Sequence, residues 1–553
     1  SDHLIYTSIP SSTSNWHSFD YSTDRKRYEA GLSLDLAKPF FFTVSVPHEE
    51  KTGIYPIGAG IGSGFLGSSM TEIPMPIDYK TTALNVMTGY VKNPFFAALS
   101  FYYSQFSNSN SALYFARTTG GPASPDAYSL PPDNESYKVA FKGSAKMPMN
   151  SQFSVNLARS RATSDDNIIR ALTANFGPVF NGEVNTTNVD LILVSHPVRL
   201  LNARIDYKYY ERKNDSDELT IDGNTNDLLG YKKNKFGVDL GWNLPNKFHL
   251  DTAYSYLGMS RQFSELLPDT SDNTLSAELR WRGLDYMTPK ISYEWMQRNA
   301  DHVEASPTDV EYYIWRFDVA PQTRNTIKAS VDIFPIADLD LNIEYKYIDK
   351  DYRDTILGLQ SSKSNQFNFD VGYMIGKIAR LNGYFDIELK KNYQFQRNFS
   401  PTGSPNPATQ NASNFNWDVT SKDNSYSWGL GTEVYLMPKQ LTLSLKYDDV
   451  KSNGKADFTY LVASALTGGA TNDNIDLNQW DDYRLSSISA NLKYTPPTSR
   501  YTFTLGYAYE RYTYDDARYA DYMMIQGSNY LSGAYADPDY TAHVVFAAVN
   551  YKF

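Results

Sequence analysis

The chain has 553 residues, with 51 Lys and Arg against 62 Asp and Glu for a formal charge of −11, and it contains no cysteine. Without thiols, disulfides, zinc ribbons, iron–sulfur clusters, thiol nucleophiles and covalent c-type haem attachment are all excluded, so any redox cofactor belongs to a partner chain. The acidic balance argues against nucleic acid as a partner.

Length alone suggests roughly three or four domains at about 150 residues each, but no linker flanked by a change of composition breaks the chain. A single domain over residues 1–553 is expected. The N-terminus, Ser1-Asp2-His3-Leu4, shows no basic segment followed by an apolar core and a small-residue cleavage site, as in a mature form or a chain never exported. Apolar runs such as Val544 to Val549 fall far short of the ~20 residues that a spanning helix needs.

Along the chain, segments of about 10 to 16 residues alternate apolar and polar side chains with period two, the mark of a strand with two unlike faces. Leu201, Ala203, Ile205, Tyr207 and Tyr209 oppose Asn202, Arg204, Asp206 and Lys208. Leu339, Leu341, Ile343, Tyr345 and Tyr347 oppose Asp338, Asp340, Asn342, Glu344 and Lys346. Ser425, Ser427, Gly429 and Gly431 oppose Tyr426, Trp428 and Leu430, and Leu441, Leu443, Leu445 and Tyr447 oppose Thr442, Ser444, Lys446 and Asp448.

The segments pair through short turns marked by Pro39, Pro94, Pro148, Pro197, Pro245, Pro289, Pro335, Gly376, Pro438 and Pro496-Pro497. Proline cannot donate to a strand ladder, so it belongs in turns. The recurrence, every ~40 to 60 residues, is an internal repeat of hairpin size. Opposite the turns lie long polar segments: 51–80, 107–134, 214–232, 398–423, 452–481 and 515–539.

Strands this long and uniform do not suit a soluble sandwich, whose strands run to about 5 or 6 residues. They suit an all-β transmembrane antiparallel up-and-down barrel, whose apolar face meets lipid and whose polar face lines a lumen. Twenty-one strands can be placed from about Arg27 onward, and His3 to Thr7 supplies a weak further one. About 22 strands are therefore expected, within 20 to 26, with short periplasmic turns and long extracellular loops. At ~4.8 Å between strands and ~40° tilt, the backbone radius is roughly 22 Å, wide enough for a protein-sized occupant. Tyrosines gather toward the ends of the apolar faces, as Tyr207, Tyr345, Tyr494 and Tyr507 do, where amphipathic rings favour headgroups. The last segment, Val545, Ala547, Val549, Tyr551 and Phe553, resembles the assembly signal of bacterial outer-membrane proteins.

Several stretches carry a more specific resemblance over about the first 170 residues. Arg27-Tyr28-Glu29-Ala30-Gly31-Leu32, the segment 53–56, Pro76-Ile77-Asp78-Tyr79 and Phe106-Ser107-Asn108-Ser109-Asn110 come first. Leu130-Pro131-Pro132-Asp133-Asn134 follows, then a hairpin through Ser151 and Asn156 to Arg159-Ser160-Arg161 and Asp165-Asp166-Asn167. In this order they resemble the MtrB/PioB family, decahaem-associated outer-membrane barrels of metal-reducing and iron-oxidising bacteria. The chain departs from the family in lacking the cysteine pair that some members carry near the N-terminus. The resemblance implies a bacterial outer-membrane sheath around a periplasmic multihaem c-type cytochrome, which passes electrons to an extracellular multihaem cytochrome. Haem is then expected on the partner and no cofactor in this chain.

Other chemistry is thin, and no catalytic, cofactor-binding or metal-binding residue is assigned. The seven histidines, at 3, 17, 48, 196, 249, 302 and 543, show no spacing suited to a helix-borne metal site. Gly62-Ser63-Gly64-Phe65-Leu66-Gly67 spells a dinucleotide fingerprint but reads as a flexible loop with no helix behind it. Asp222-Gly223-Asn224-Thr225-Asn226-Asp227 and Asn472-Asp473-Asn474-Ile475-Asp476 are oxygen-rich enough for Ca²⁺ but read better as solvated acidic loops. An enzyme is not expected, and the alternative function is a diffusion porin or transporter for small solutes.

Overall fold

Period-two alternation is satisfied on both faces only when each segment is extended and hydrogen-bonded along both edges. The computed structural model describes residues 21–34, 38–60, 70–117, 124–170, 175–221, 224–262, 267–301, 312–352, 355–397, 416–462, 471–516 and 539–551. A 23-stranded sheet dominates them. Two of its members are short, Ile314–Trp315 and Thr471–Leu477. The other twenty-one are β1 (Thr23–Leu34), β2 (Phe40–Gly60), β3 (Met70–Lys92), β4 (Phe95–Asn108), β5 (Asn134–Met147), β6 (Ser151–Arg170), β7 (Asn175–Val198), β8 (Leu201–Asn214), β9 (Tyr231–Asn243), β10 (Phe248–Arg261), β11 (Thr270–Trp281), β12 (Met287–Ala300), β13 (Gln322–Ile336), β14 (Leu339–Asp351), β15 (Leu357–Ile375), β16 (Ala379–Arg397), β17 (Asn416–Met437), β18 (Leu441–Val462), β19 (Asp482–Tyr494), β20 (Tyr501–Asp515) and β21 (Tyr540–Tyr551).

Each strand pairs antiparallel with the next in sequence, making one up-and-down meander. Among the described residues β1 and β21 are not paired with each other. The expected further strand, His3 to Thr7, lies outside the described residues.

The two faces separate as the alternation predicts. Ile205, Leu275, Ile343, Phe367, Phe369, Leu430, Leu445 and Leu505 are large, apolar and exposed, while among the described residues buried apolar side chains are few and many of them are alanine. A water-soluble protein does not present such a surface, whereas a lipid-facing one must. A tyrosine row marks its upper edge. Tyr207, Tyr254, Tyr293, Tyr345 and Tyr507 each stand six residues past the first residue of β8, β10, β12, β14 and β20. Six residues climb about 15 Å in a strand tilted ~40°. Four of the hydroxyls donate to an asparagine Oδ1 on the next strand: Tyr207 to Asn234 (3.0 Å), Tyr254 to Asn273 (2.9 Å), Tyr293 to Asn325 (2.7 Å) and Tyr345 to Asn365 (2.9 Å). Tyr507 makes the same diagonal contact to His543 Nδ1 at 3.0 Å. Ring in lipid and hydroxyl in a polar layer is the arrangement that an aromatic girdle requires.

Several expectations need correction. Pro197, Pro289 and Pro335 lie within β7, β12 and β13 rather than in turns. They fall where the ladder does not need an N–H: Pro197 and Pro335 sit beside register shifts, and Pro289 lies beyond the end of the β11 pairing. The supposed loop 51–80 is largely strand, because β2 and β3 stay paired from Phe40 with Tyr90 up to Gly60 with Met70. Residues 472–476 likewise form a strand paired to the upper part of β18 rather than a loop. Asp222 and Gly223, and the 62–67 glycine run, lie outside the described residues.

The face assignment has a direct test on β18. Leu445→Arg puts a cation on the lipid face and should cost about 2–4 kcal/mol. Ser444→Arg points the same side chain inward beside Glu433, its registered neighbour, and should cost under about 1 kcal/mol. Urea titration of each variant folded into phospholipid vesicles measures the difference, and equal costs would overturn the assignment.

Candidate functional site: the lumen wall and its mouth

The inward face carries many of the charges, and neighbours on the same or adjacent strands pair several of them. From β8 to β14 the wall holds Arg204 with Asp206 (3.4 Å), Arg280 with Glu278 (2.8 Å) and Asp251 (3.4 Å), and Lys290 with Asp332 (2.6 Å). It continues with Arg324 and Glu294 (2.7 Å), then Lys328 and Glu344 (3.5 Å). Most of these groups are half-buried yet still in reach of water, and pairs screened in this way contribute about 1 kcal/mol or less each. Their larger effect is to leave the wall polar with little local net charge.

Farther round, on β15 to β18, the wall is lined by Asp370, Tyr384, Asp386, Ser427, Gly429 and Asp448. Ser427 Oγ donates to Asp386 Oδ2 (3.1 Å), and Tyr384 donates its hydroxyl across Gly429 to Asp448 Oδ1 (2.8 Å). A Cβ at Gly429 would lie 2.3 Å from Tyr384 Cε1, so the bond needs a residue without a side chain there. The absence of a side chain at Gly429 thus admits a contact that spans from β16 to β18.

Above the apolar band the connections fold onto the sheet. A hairpin of Ala112–Arg117 and Ser124–Ser129 stands between β4 and β5. Its Leu113 and Phe115 bury with Leu130 and Ile73, against Ile57, Met75 and Tyr128. Ile57 and Ile73 are registered partners on the face that carries Ser45 and Asn85 lower down, so the hairpin covers the lumen side of the β2–β3 extension. Leu130 to Asn134 clamps its base. Asn108 N–H donates to Asp133 Oδ1 (2.7 Å), Asn108 Nδ2 to the Pro131 carbonyl (2.9 Å), and Ser164 Oγ to the Asp133 carbonyl (2.8 Å). The stretch that resembles the family most specifically is therefore the fixing point of a loop at the mouth.

A second knot sits above β11 to β15. Tyr313, Val319, Ala320, Tyr352 and Leu357 are buried there, and Ile314–Trp315 runs parallel to Leu357–Gly358. Arg298 donates Nε to Asp272 Oδ1 (2.7 Å) and Nη1 to the Asp318 carbonyl (2.6 Å). Burial pushes the Tyr352 phenol above its usual pKa, with Arg298 and Arg324 pulling the other way.

Sequence reasoning missed both knots, although the apolar run Ala112-Leu113-Tyr114-Phe115-Ala116 inside a polar segment was a signal for the first. His48 bonds Thr82 and His249 bridges Asn243 and Asp251, while His3, His17 and His302 lie outside the described residues. Among the described residues no three His, Cys, Asp or Glu side chains gather as a metal site requires.

Full-length paired strands, an exposed apolar band capped by tyrosines and a polar inner wall define a transmembrane β-barrel of the bacterial outer membrane. The sequence profile of the family described as outer membrane beta-barrel porin, MtrB/PioB, matches residues 4–553, and the chain belongs to that family. It is 24% identical to "Outer membrane protein MtrB" of Shewanella baltica (strain OS185), over 95% of this chain and 74% of that protein. The fold is shared with the siderophore receptor PiuA of Acinetobacter baumannii (TM-score 0.53, 12% identity, 96% of this chain and 80% of that one). It is also shared with the FrpB iron transporter of Neisseria meningitidis (TM-score 0.51, 9% identity, 97% and 83%).

The mouth hairpin is expected to open independently of the barrel. Leu130→Ala removes a fully buried side chain, a loss of about 2–5 kcal/mol at a packed site. Limited proteolysis within residues 109–133 should accelerate by more than about tenfold while the barrel's thermal midpoint stays nearly constant. A matching fall in the midpoint would show that the hairpin is part of the barrel's cooperative unit.

Proposed function

We propose that this porin sheathes a periplasmic multihaem c-type cytochrome and holds it across the outer membrane, so that electrons reach an extracellular multihaem cytochrome. The observation that carries the reading is membership of the MtrB/PioB family along residues 4–553, joined to a chain without cysteine. Such a chain cannot hold c-type haem covalently, so in this reading the haems belong to the partner and the barrel's part is to bind and insulate it. The physics agrees. A chain of haems crossing hydrocarbon needs a jacket that is apolar outside, polar inside and closed to leakage, and the β8–β14 stretch of the wall, whose cations Arg204, Arg280, Lys290, Arg324 and Lys328 are paired, meets a protein surface without a strong field of one sign.

One observation favours a second reading. The hairpin at the mouth lies over the lumen-side face, as a constricting loop does in a diffusion porin for small solutes. The two readings separate in one preparation. Gentle detergent extraction from the native host should yield the barrel with haem absorbance at a fixed ratio, and the complex should conduct ions poorly in planar bilayers. A colourless barrel that conducts strongly when extracted the same way would overturn the sheath and support the porin.

A further inference from the structure

The outward face carries a row of four lysines that the lumen chemistry does not explain. Lys363 on β15 is registered with Lys391 on β16, Lys391 with Lys422 on β17, and Lys422 with Lys455 on β18. Directly opposed residues stand about 4.5–5.5 Å apart, so the row is roughly 15 Å long. Its side chains share the face of Phe367 and Phe369, Leu389, Leu430 and Leu445, which alternate with the inward positions on the same strands. Lys363, Lys391 and Lys422 are exposed.

The level of the row is fixed by the tyrosine girdle. Asn365, which accepts the Tyr345 hydroxyl at the top of the apolar band, is two residues below Lys363 on β15. The lysines therefore stand in the polar layer just outside the hydrocarbon, on the long-loop side. Like charges directly opposed across strands are unfavourable. Two carboxylates flank the ends: Asp457 lies 3.0 Å from Lys455 and 3.9 Å from Lys422, and Asp349 is registered with Lys363. Among the described residues Lys391, in the middle, has no ion pair and a lysine on either side. Neutral donors border the row, with Asn424 and Asn453 below and Tyr393 and Thr420 above.

A linear set of cations framed by neutral donors, on the lipid side at headgroup depth, is complementary to phosphate. We propose that this face of β15–β18 binds the phosphate of an anionic lipid headgroup in the outer leaflet. Lipid fits better than a free anion because the lysines stand immediately above Leu389 and the apolar band, where a headgroup's own acyl chains lie. Basic clusters at membrane surfaces gain roughly thirtyfold in affinity from two net charges.

The test uses the full-length barrel in non-ionic detergent and native mass spectrometry with added phosphatidylglycerol or phosphatidylcholine of identical chains. The wild-type protein should bind phosphatidylglycerol about thirtyfold more tightly, and inorganic phosphate at millimolar concentration should not displace it. The combined variant Lys363→Gln, Lys391→Gln, Lys422→Gln and Lys455→Gln should lose the preference. A variant with the same charge change on the inward face, Lys138→Gln, Lys142→Gln, Lys208→Gln and Lys390→Gln, should keep it. Both variants are checked for folding by the migration difference between heated and unheated samples. Equal affinity for the two lipids in the wild type, or an equal loss of preference in the inward-face variant, would overturn the proposal. Displacement by inorganic phosphate would overturn the lipid assignment.

Discussion

The structure depends on one constraint: backbone N–H and C=O groups within hydrocarbon have no water to bond, and each unsatisfied one costs several kcal/mol. A strand meets that demand only when paired on both edges, so the chain must run as one meander of nearest neighbours. Pairing on both edges leaves each side chain only two directions. Period-two alternation is the consequence, and with it an inverted protein whose apolar residues face outward and whose polar residues face in.

Such a sheet has no central core, and stability is distributed differently from a soluble domain. Along the membrane span the ladder hydrogen bonds and the lipid-facing apolar area do the work. The inner wall's ion pairs and hydroxyl bonds, each contributing at most about 1 kcal/mol, set its shape and charge instead. Among the described residues the packed clusters lie where the chain leaves the bilayer. Leu113, Phe115, Leu130 and Ile73 at one place, and Tyr313, Val319, Tyr352 and Leu357 at another, are buried, at about 1.5–3 kcal/mol for each large side chain. Those are also the places where a loop must be held in one position over an open mouth.

What was legible in the sequence follows from this division. The strands and their faces could be read from Leu201, Ile205 and Tyr207, or from Leu339, Ile343 and Tyr345, because lipid and lumen impose one rule along the whole span. Where the chain rises above lipid the rule lapses. Water then satisfies backbone groups, turn residues lose their meaning, and 51–80 passes for a loop although β2 and β3 remain paired to Gly60 and Met70. The mouth hairpin was hidden for the same reason, since its short apolar run packs on residues some 40 positions upstream. The row of lysines was hidden differently. Each is an unremarkable polar residue in its own strand, and only the registers of β15 with β16, β16 with β17 and β17 with β18 bring them side by side.

Charge is handled in opposite ways on the two surfaces. Inside, from β8 to β14, Arg204, Arg280, Lys290, Arg324 and Lys328 each meet a carboxylate on the same or a neighbouring strand, and that stretch of wall offers an occupant paired charges rather than a field. A lining of that kind does little to select an occupant by charge, and it does little to repel one. In the sheath reading, the contacts that fix a partner must then come from shape and from the ends, where the clamp at Asn108 and Asp133 holds a hairpin over the lumen. Outside, Lys391 and its neighbours keep their charge at the one depth where lipid can answer it. The barrel thus meets its interior, from β8 to β14, with charges that are paired, and meets the membrane surface at β15–β18 with like charges set side by side, so the two faces of one sheet answer two different surroundings.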